Sequence, residues 1–313
     1  FFPKISSICM RARKEILDME GYSSARSLQN HDTKKIFLDA NECAFDPFLG
    51  GDNLSRYPDK QAKILQNSLC HWLDVSSRNI TITRGADEAI ECLIRAFCIP
   101  SIDNIIICPP TFPMYAQSAK LHSIEVREAE LDRHFDLNLN AIDKRFTEKT
   151  KIVFVCSPNN PTGNLMNYEK VIKLCERYEN QALIVVDETY VEFSEKESFI
   201  TIQDRFDNLV VLRTLSKSHA AAGIRCGVAV ASSEVNNLLQ KVLPPYPLSQ
   251  TIVEPVLKIL SEGNIIRLKN MRRDLVARRD VYVSKFLELD DVISVLPSDS
   301  NFVLLQVHNA KEF

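Results

Sequence analysis

The sequence predicts an α/β fold: a mostly parallel central sheet flanked by helices, plus a small α+β domain. Three observations carry this. Short β-rich apolar runs alternate with longer helical patterns between residues 80 and 242. Two of the runs, Ile152-Val153-Phe154-Val155 and Leu183-Ile184-Val185-Val186, are apolar at every position, as a strand covered on both faces must be. After a Pro-rich stretch, Leu243-Pro244-Pro245-Tyr246-Pro247, the alternation gives way to long helices and then two short strand patterns.

In chain order, strands are expected at Ile80-Thr83, Asn104-Cys108, Ser123-Val126, Lys151-Cys156, Ala182-Asp187, Asn208-Arg213 and Gly227-Ala231. Helical spacing falls between them at Glu88-Cys98, Pro113-Leu121, Asn167-Tyr178 and Ser233-Val242. Beyond the prolines, Thr251-Leu260 and the charged Ile265-Leu289 read as helices, with strands at Val292-Val295 and Phe302-Gln306. The prolines mark a hinge, which divides the chain into three. Residues 1–40 are an N-terminal arm or part of the small domain, 41–245 the large domain, and 246–313 a C-terminal small domain, incomplete as it stands. The chain does not begin with Met and stops at Lys311-Glu312-Phe313 inside an amphipathic segment, as a fragment or a trimmed chain would.

Composition narrows the function. The 313 residues are 45% hydrophobic and 25% charged, with a net charge of -3, which offers no electrostatic footprint for nucleic acid. The locally basic Met271-Arg272-Arg273 reads as a solvated helix face. Nine cysteines are scattered without a C-x-x-C pair, and six histidines form no ligand cluster. That usage suits a reducing cytosol and gives no zinc site or disulfide framework. No apolar run reaches the roughly 18 residues of a membrane helix, and the start, Phe1-Phe2-Pro3-Lys4, lacks a signal pattern.

Four segments carry chemistry. In Thr81-Ile82-Thr83-Arg84-Gly85-Ala86-Asp87-Glu88 a strand passes through a glycine into a helix, which directs free backbone N–H groups and a positive dipole end at one point. Asp87 and Glu88 also read simply as charges that complement that dipole. In Cys156-Ser157-Pro158-Asn159-Asn160-Pro161-Thr162-Gly163 two prolines stiffen a loop at a strand's carboxyl end, where Asn160 could donate to a ligand oxygen. A tight turn with Asx capping would explain part of that string. Asp187, in Val186-Asp187-Glu188-Thr189-Tyr190, would need a cationic partner such as a protonated pyridine nitrogen; the competing roles are a helix cap or a magnesium ligand. No phosphate-binding G-x-x-x-x-G-K-[ST] loop accompanies it. Last, Lys217 follows a strand in Arg213-Thr214-Leu215-Ser216-Lys217-Ser218-His219, with Arg225 eight positions on. Burial and nearby cations favour a neutral, nucleophilic lysine amine, and Thr214, Ser216 and Arg225 suit a phosphate. A lone lysine is usually a surface charge. The ordered set of four outweighs that reading.

In this order and spacing, S-x-N-N-P-T-G, D-E-x-Y and S-K-x-x-x-x-x-G-x-R resemble the pyridoxal-phosphate (PLP) transferases of fold type I, over essentially the whole chain. Further strings resemble the class II histidinol-phosphate aminotransferase family: Gly21-Tyr22-Ser23-Ser24-Ala25-Arg26, Leu38-Asp39-Ala40-Asn41-Glu42, Arg56-Tyr57-Pro58-Asp59, Arg84-Gly85-Ala86-Asp87-Glu88, Pro109-Pro110-Thr111-Phe112-Pro113-Met114-Tyr115 and Pro245-Tyr246-Pro247-Leu248-Ser249. The resemblance implies that Lys217 holds PLP covalently and shuttles a proton, and that Asp187 keeps the pyridine nitrogen protonated. Asn160 and Tyr190 would meet the phenolic oxygen, and Phe112 would stack on the ring, where some relatives have Tyr. The backbone of Ala86 and Asp87, with Thr214, Ser216 and Arg225, would hold the phosphate. Tyr57 would reach it from a neighbouring subunit of a homodimer, Tyr22 would close over the substrate, and Asn41 would line it.

The implied reaction moves an amino group between L-histidinol phosphate and 2-oxoglutarate in a cytoplasmic enzyme. The family anchors the substrate's phosphate, or the glutamate carboxylate, with an arginine near its C-terminus, and this chain stops before that strand. Cofactor motifs alone leave open an aromatic amino acid aminotransferase, a PLP-dependent decarboxylase of a phosphorylated amino acid, or a non-catalytic module on the same fold.

Overall fold

In the computed structural model, which describes residues 12–21, 40–43, 45 and 54–312, seven strands form the central sheet. β-Branched residues dominate β1 (Ile80–Thr83), β2 (Asn104–Ile107), β4 (Thr150–Cys156), β5 (Leu183–Asp187), β6 (Leu209–Thr214) and β7 (Gly227–Val230), and nearly every position in them is buried. β3 (Glu125–Glu128) is a polar, partly exposed edge. The order is β1-β7-β6-β5-β4-β2-β3. Strands β2 to β6 run parallel, and β7 runs antiparallel to both its neighbours.

Alternation along the strands makes two cores, one on each face. Ile152, Phe154, Val185 and Leu212 pack with α3 (Ala86–Phe97), α4 (Met114–Leu121) and α7 (Ser233–Val242). Val153, Val155, Ile184, Val186 and Val211 pack on the other face with α2 (Lys63–Leu73), α5 (Leu139–Arg145) and α6 (Tyr168–Arg177). Each fully buried Val, Ile or Leu contributes roughly 1.5–3 kcal/mol relative to exposure. A short α1 (Lys14–Asp18) sits near α7, where Lys241 donates to the Ile16 and Leu17 carbonyls at 3.0 and 2.8 Å.

Then come α8 (Val253–Ile259), the 25-residue α9 (Glu262–Phe286), and the antiparallel pair β8 (Val292–Val295) and β9 (Leu305–Val307). The segment before β9 grips the large sheet's loops. The Asp299 amide donates to the Gly163 carbonyl at 2.8 Å, and the Leu165 amide donates to Asp299 Oδ2 at 3.1 Å. Gly163 is obligatory there: its φ is +81°, and a Cβ would stand 2.6 Å from Ser298 Oγ. No helix among the described residues is long and apolar enough to cross a membrane.

Three departures from the sequence expectations have physical causes. The third strand begins at Glu125 rather than Ser123, because Ser123 turns the chain at φ +57°. Helices α1, α2 and α5 were not anticipated, although Leu65, Leu69 and Leu73 recur every four residues on the buried face of α2. The basic run is only partly a solvated face. Arg273 is exposed, but Arg272 is half-buried and donates to the Ser218 carbonyl at 3.1 Å.

Candidate active site

The ends of β4, β5 and β6, together with the start of α3, surround one cavity of about 170 Å³. Parallel strands send their loops to one edge of the sheet, where α/β proteins take their ligands. Ten residues named from the sequence line it: Ala86, Asp87, Phe112, Asn160, Asp187, Tyr190, Thr214, Ser216, Lys217 and Arg225. Cys156, Thr189 and Ala222 join them without having been named.

One end of the cavity suits an anion. Gly85, at φ +81°, turns β1 into α3, and Glu88 reaches back to accept from the Arg84 amide at 2.7 Å. The first amides of α3 are thereby left for a ligand. β7 passes so close that a Cβ on Gly227 would lie 2.6 Å from the Gly85 carbonyl carbon and 2.9 Å from the Ala86 nitrogen. Arg225 sits in the left-handed region at φ +56°, its guanidinium donating to Asp87 Oδ2 at 3.1 Å. Both groups are half exposed, so the pair contributes little to stability and leaves the cation available. The Thr214 hydroxyl donates to Ser216 Oγ at 2.9 Å, which places two hydroxyls side by side.

Another part of the wall holds a carboxylate. Asp187 is buried at 3% exposure, and its partners are neutral donors. Oδ1 accepts from the Thr189 amide and hydroxyl at 3.1 and 2.6 Å, and Oδ2 accepts from the Tyr115 hydroxyl at 2.8 Å. Burial pushes the Asp187 carboxyl above its ordinary pKa, and those donors oppose the push. Tyr115 is fully buried, stacked on Phe154 with centroids 4.7 Å apart and met edge-on by Phe112 at 5.6 Å.

Between these lie the remaining wall groups. Asn160 Nδ2 donates to the Tyr190 hydroxyl at 3.4 Å, and burial raises the Tyr190 phenol to about 12. The neighbouring Asn159, wholly buried, ties the two loops together. Its Nδ2 donates to the Pro110 carbonyl and to Thr162 Oγ1, both at 2.8 Å, and its Oδ1 accepts from Thr111 at 3.0 Å. Lys217 follows the buried β6 but is itself solvent-exposed rather than buried, with Nζ 5.9 Å from the Tyr190 ring centroid.

Two residues named from the sequence stand elsewhere. Tyr57 is half exposed, stacked on Tyr246 with centroids 4.3 Å apart, and its amide donates to Glu42 at 2.6 Å. Asn41 is exposed at φ +52° and does not line the cavity. Tyr22 lies outside the described residues. No cluster of metal-ligating side chains occurs among the described residues.

This donor set fits pyridoxal phosphate. Amides, hydroxyls and a guanidinium suit a phosphate. A desolvated carboxylate with only neutral partners suits a pyridinium nitrogen. An aromatic wall and an accessible lysine complete the requirement.

The family model for class I and II aminotransferases matches residues 25–313. A histidinol-phosphate aminotransferase of Haemophilus influenzae is 37% identical over 98% of this chain and 83% of its own length. That of Christiangramia forsetii is 38% identical over 96% of this chain and 83% of its own. In shape, the crystal structure of the histidinol-phosphate aminotransferase from Clostridium acetobutylicum matches with a TM-score of 0.73 at 24% identity, covering 82% of this chain and 76% of that one. Aspartate aminotransferase from Thermus thermophilus with maleate matches at 0.71 and 22% identity, over 80% and 69%. The chain belongs to the class I and II aminotransferases, in the family of the histidinol-phosphate aminotransferases.

Proposed function

We propose that this chain transfers an amino group from L-histidinol phosphate to 2-oxoglutarate, giving imidazole acetol phosphate and L-glutamate in histidine biosynthesis. The observation that carries the chemistry is the cavity that gathers Lys217, Asp187 and the anion-binding group of Arg225, Thr214, Ser216, Ala86 and Asp87, and the histidinol-phosphate aminotransferases at 37% and 38% identity support the substrate. Bound pyridoxal phosphate supplies an electron sink for the pair left behind when the substrate Cα–H bond breaks. The Lys217 amine would hold the cofactor covalently and, once released, would carry a proton between the substrate Cα and the cofactor C4′. Asp187 keeps a proton on the pyridine nitrogen, which in turn offsets the cost of burying that carboxylate. Asn160 and Tyr190 hydrogen-bond the phenolic oxygen, and Phe112 covers the ring. The Ala86 and Asp87 amides, the two hydroxyls and Arg225 hold the phosphate.

Residues 41–245 form the cofactor domain and 246–313 the small domain, while the N-terminal arm packs on the cofactor domain through α1. The enzyme acts in the cytoplasm as a homodimer. Tyr57, which stands away from its own cavity, reaches the partner's cofactor phosphate, and Tyr22 and Asn41 close over the substrate.

The test is an absorbance titration of PLP-loaded protein. L-Histidinol phosphate is expected to convert the long-wavelength cofactor band to that of the amino form, and 2-oxoglutarate to restore it. A response to aromatic amino acids alone would overturn the substrate. Lys217→Ala is expected to abolish turnover with an unchanged thermal melt; near-normal activity in that variant would overturn the mechanism.

A further inference from the structure

Asp187 and Thr214 line the cavity, and the residue next to each points the other way. Side chains alternate along a strand, so Glu188 and Arg213 face the opposite side of the sheet. The register brings those two together. Asp187 lies across from Leu212, and the Glu188 amide continues the ladder to the Leu212 carbonyl at 3.0 Å.

Arg213 is 6% exposed there. Its Nη2 donates to Glu192 Oε1 at 2.5 Å, and its Nη1 lies 3.5 Å from Glu188 Oε2 and 3.3 Å from Ser198 Oγ. Its guanidinium also covers the Trp72 ring, 5.3 Å from the centroid. The same ring is met edge-on, at 4.7 Å, by His219, two residues past Lys217. From α9, Arg272 donates to the Ser218 carbonyl. The Lys217 turn therefore starts from Arg213 of this buried charged cluster and is tied on its other side through His219 on the shared Trp72 ring and Arg272 on the Ser218 carbonyl.

Taking three ionised groups out of water carries a penalty that pairing recovers only in part, and apolar residues of similar volume generally fold as well. Net stability is therefore a weak reason for the cluster, and its location beside the Lys217 turn is a stronger one. We propose that Arg213 is a positioning residue: by gripping Glu188 and Glu192 it fixes the Lys217 turn relative to Asp187. That sets the direction from which the Lys217 amine approaches the reacting carbon. The inference rests on the cavity being the pyridoxal-phosphate site proposed above.

Two variants test it. R213M/E188Q/E192Q removes the grip without stranding a buried charge, and R213K keeps the charge but loses the planar fork. Both are loaded with PLP and compared with wild type by thermal melt, by visible circular dichroism of the cofactor band, and by kcat and KM for L-histidinol phosphate. The triple variant is expected to melt close to wild type, to lose most of its ellipticity per unit absorbance, and to keep its KM. Its kcat is expected to fall about 100-fold, as when a reacting group is misplaced by about 1 Å. R213K is expected to fall between. Wild-type ellipticity and kcat in the triple variant would overturn the proposal. So would a triple variant that does not fold, because the cluster would then serve stability. A wild-type protein without a cofactor band would instead remove the underlying site reading, which separates the two failures.

Discussion

Tyr115→Phe removes one of the donors that keep Asp187 charged in a desolvated place. A hydrogen bond to a charged group contributes about 1.5–3 kcal/mol, and its loss raises the Asp187 carboxyl further. Urea unfolding of the variant is expected to show that loss, and PLP titration a weaker affinity. Gly227→Ala acts at the other end, by driving a methyl into the Gly85 backbone. Overpacking of this kind costs about 1–3 kcal/mol, and PLP affinity is expected to fall with it, because the α3 amides shift. Lys217, Asp187 and Arg225 were legible in the sequence because each sits in a local string. The role of Tyr115 was not: its bond to Asp187 spans 72 positions, across the order β5-β4-β2 that no local pattern encodes. Asn159 was likewise hidden behind its neighbour Asn160, and only its complete burial and three ties distinguish them.

At the scale of elements, the buried strands of the large sheet were legible because continuous apolar runs between turn signals have few other readings, whereas the polar edge β3 and the partly exposed β9 lie two and three residues beyond where the sequence put their starts. Direction was not legible. Nothing in Gly227–Val230 says that β7 runs against β1 and β6, since that depends on where the chain returns. The Asp299 segment is an element whose worth can be measured. Asp299→Ala removes the acceptor for the Leu165 amide and loosens the loop that ends in Leu165. Hydrogen exchange at the Leu165 amide is expected to accelerate by an amount equivalent to about 1.5–3 kcal/mol of local opening, while β5 amides keep their protection. Equal acceleration in β5 would mean that the contact supports the whole sheet instead.

For the molecule as a whole, His219 is one of the groups that set acid stability, beside Asp132, Asp143 and Glu192, whose partners hold their carboxyls below the ordinary range. His219 is buried with Nε2 lacking a hydrogen-bond partner, and burial lowers its pKa from 6.5 to about 4, with Arg272 and Arg213 adding to that and Glu192 opposing it. Below pH 6.5 the unfolded chain takes up this proton while the folded chain does not until about 4. Stability from this site is therefore complete above 6.5 and drains away as the pH falls toward 4, by about 3 kcal/mol. Asp187 and Glu188 act in the opposite sense: burial raises both, so their contribution to the cofactor-free fold weakens as pH rises past the ordinary carboxylate range. Urea midpoints at pH 7 and pH 4.5 check the first effect, and His219→Phe is expected to reduce the difference.

The sheet order also governs how the chain emerges from the ribosome. β1 is made early and lies at the sheet's edge beside β7, which is made last of the seven and inserts between β1 and β6. At about 5–20 residues per second, Ile80–Thr83 waits roughly 7 to 30 seconds for Gly227–Val230. Throughout that interval β1 presents an open backbone edge flanked by apolar side chains, and β6, made only shortly before β7, joins it at the end; both are templates for wrong pairing and targets for chaperones. Slow codons placed between Thr214 and Val230 should therefore harm the yield of native enzyme more than slow codons placed after Val242.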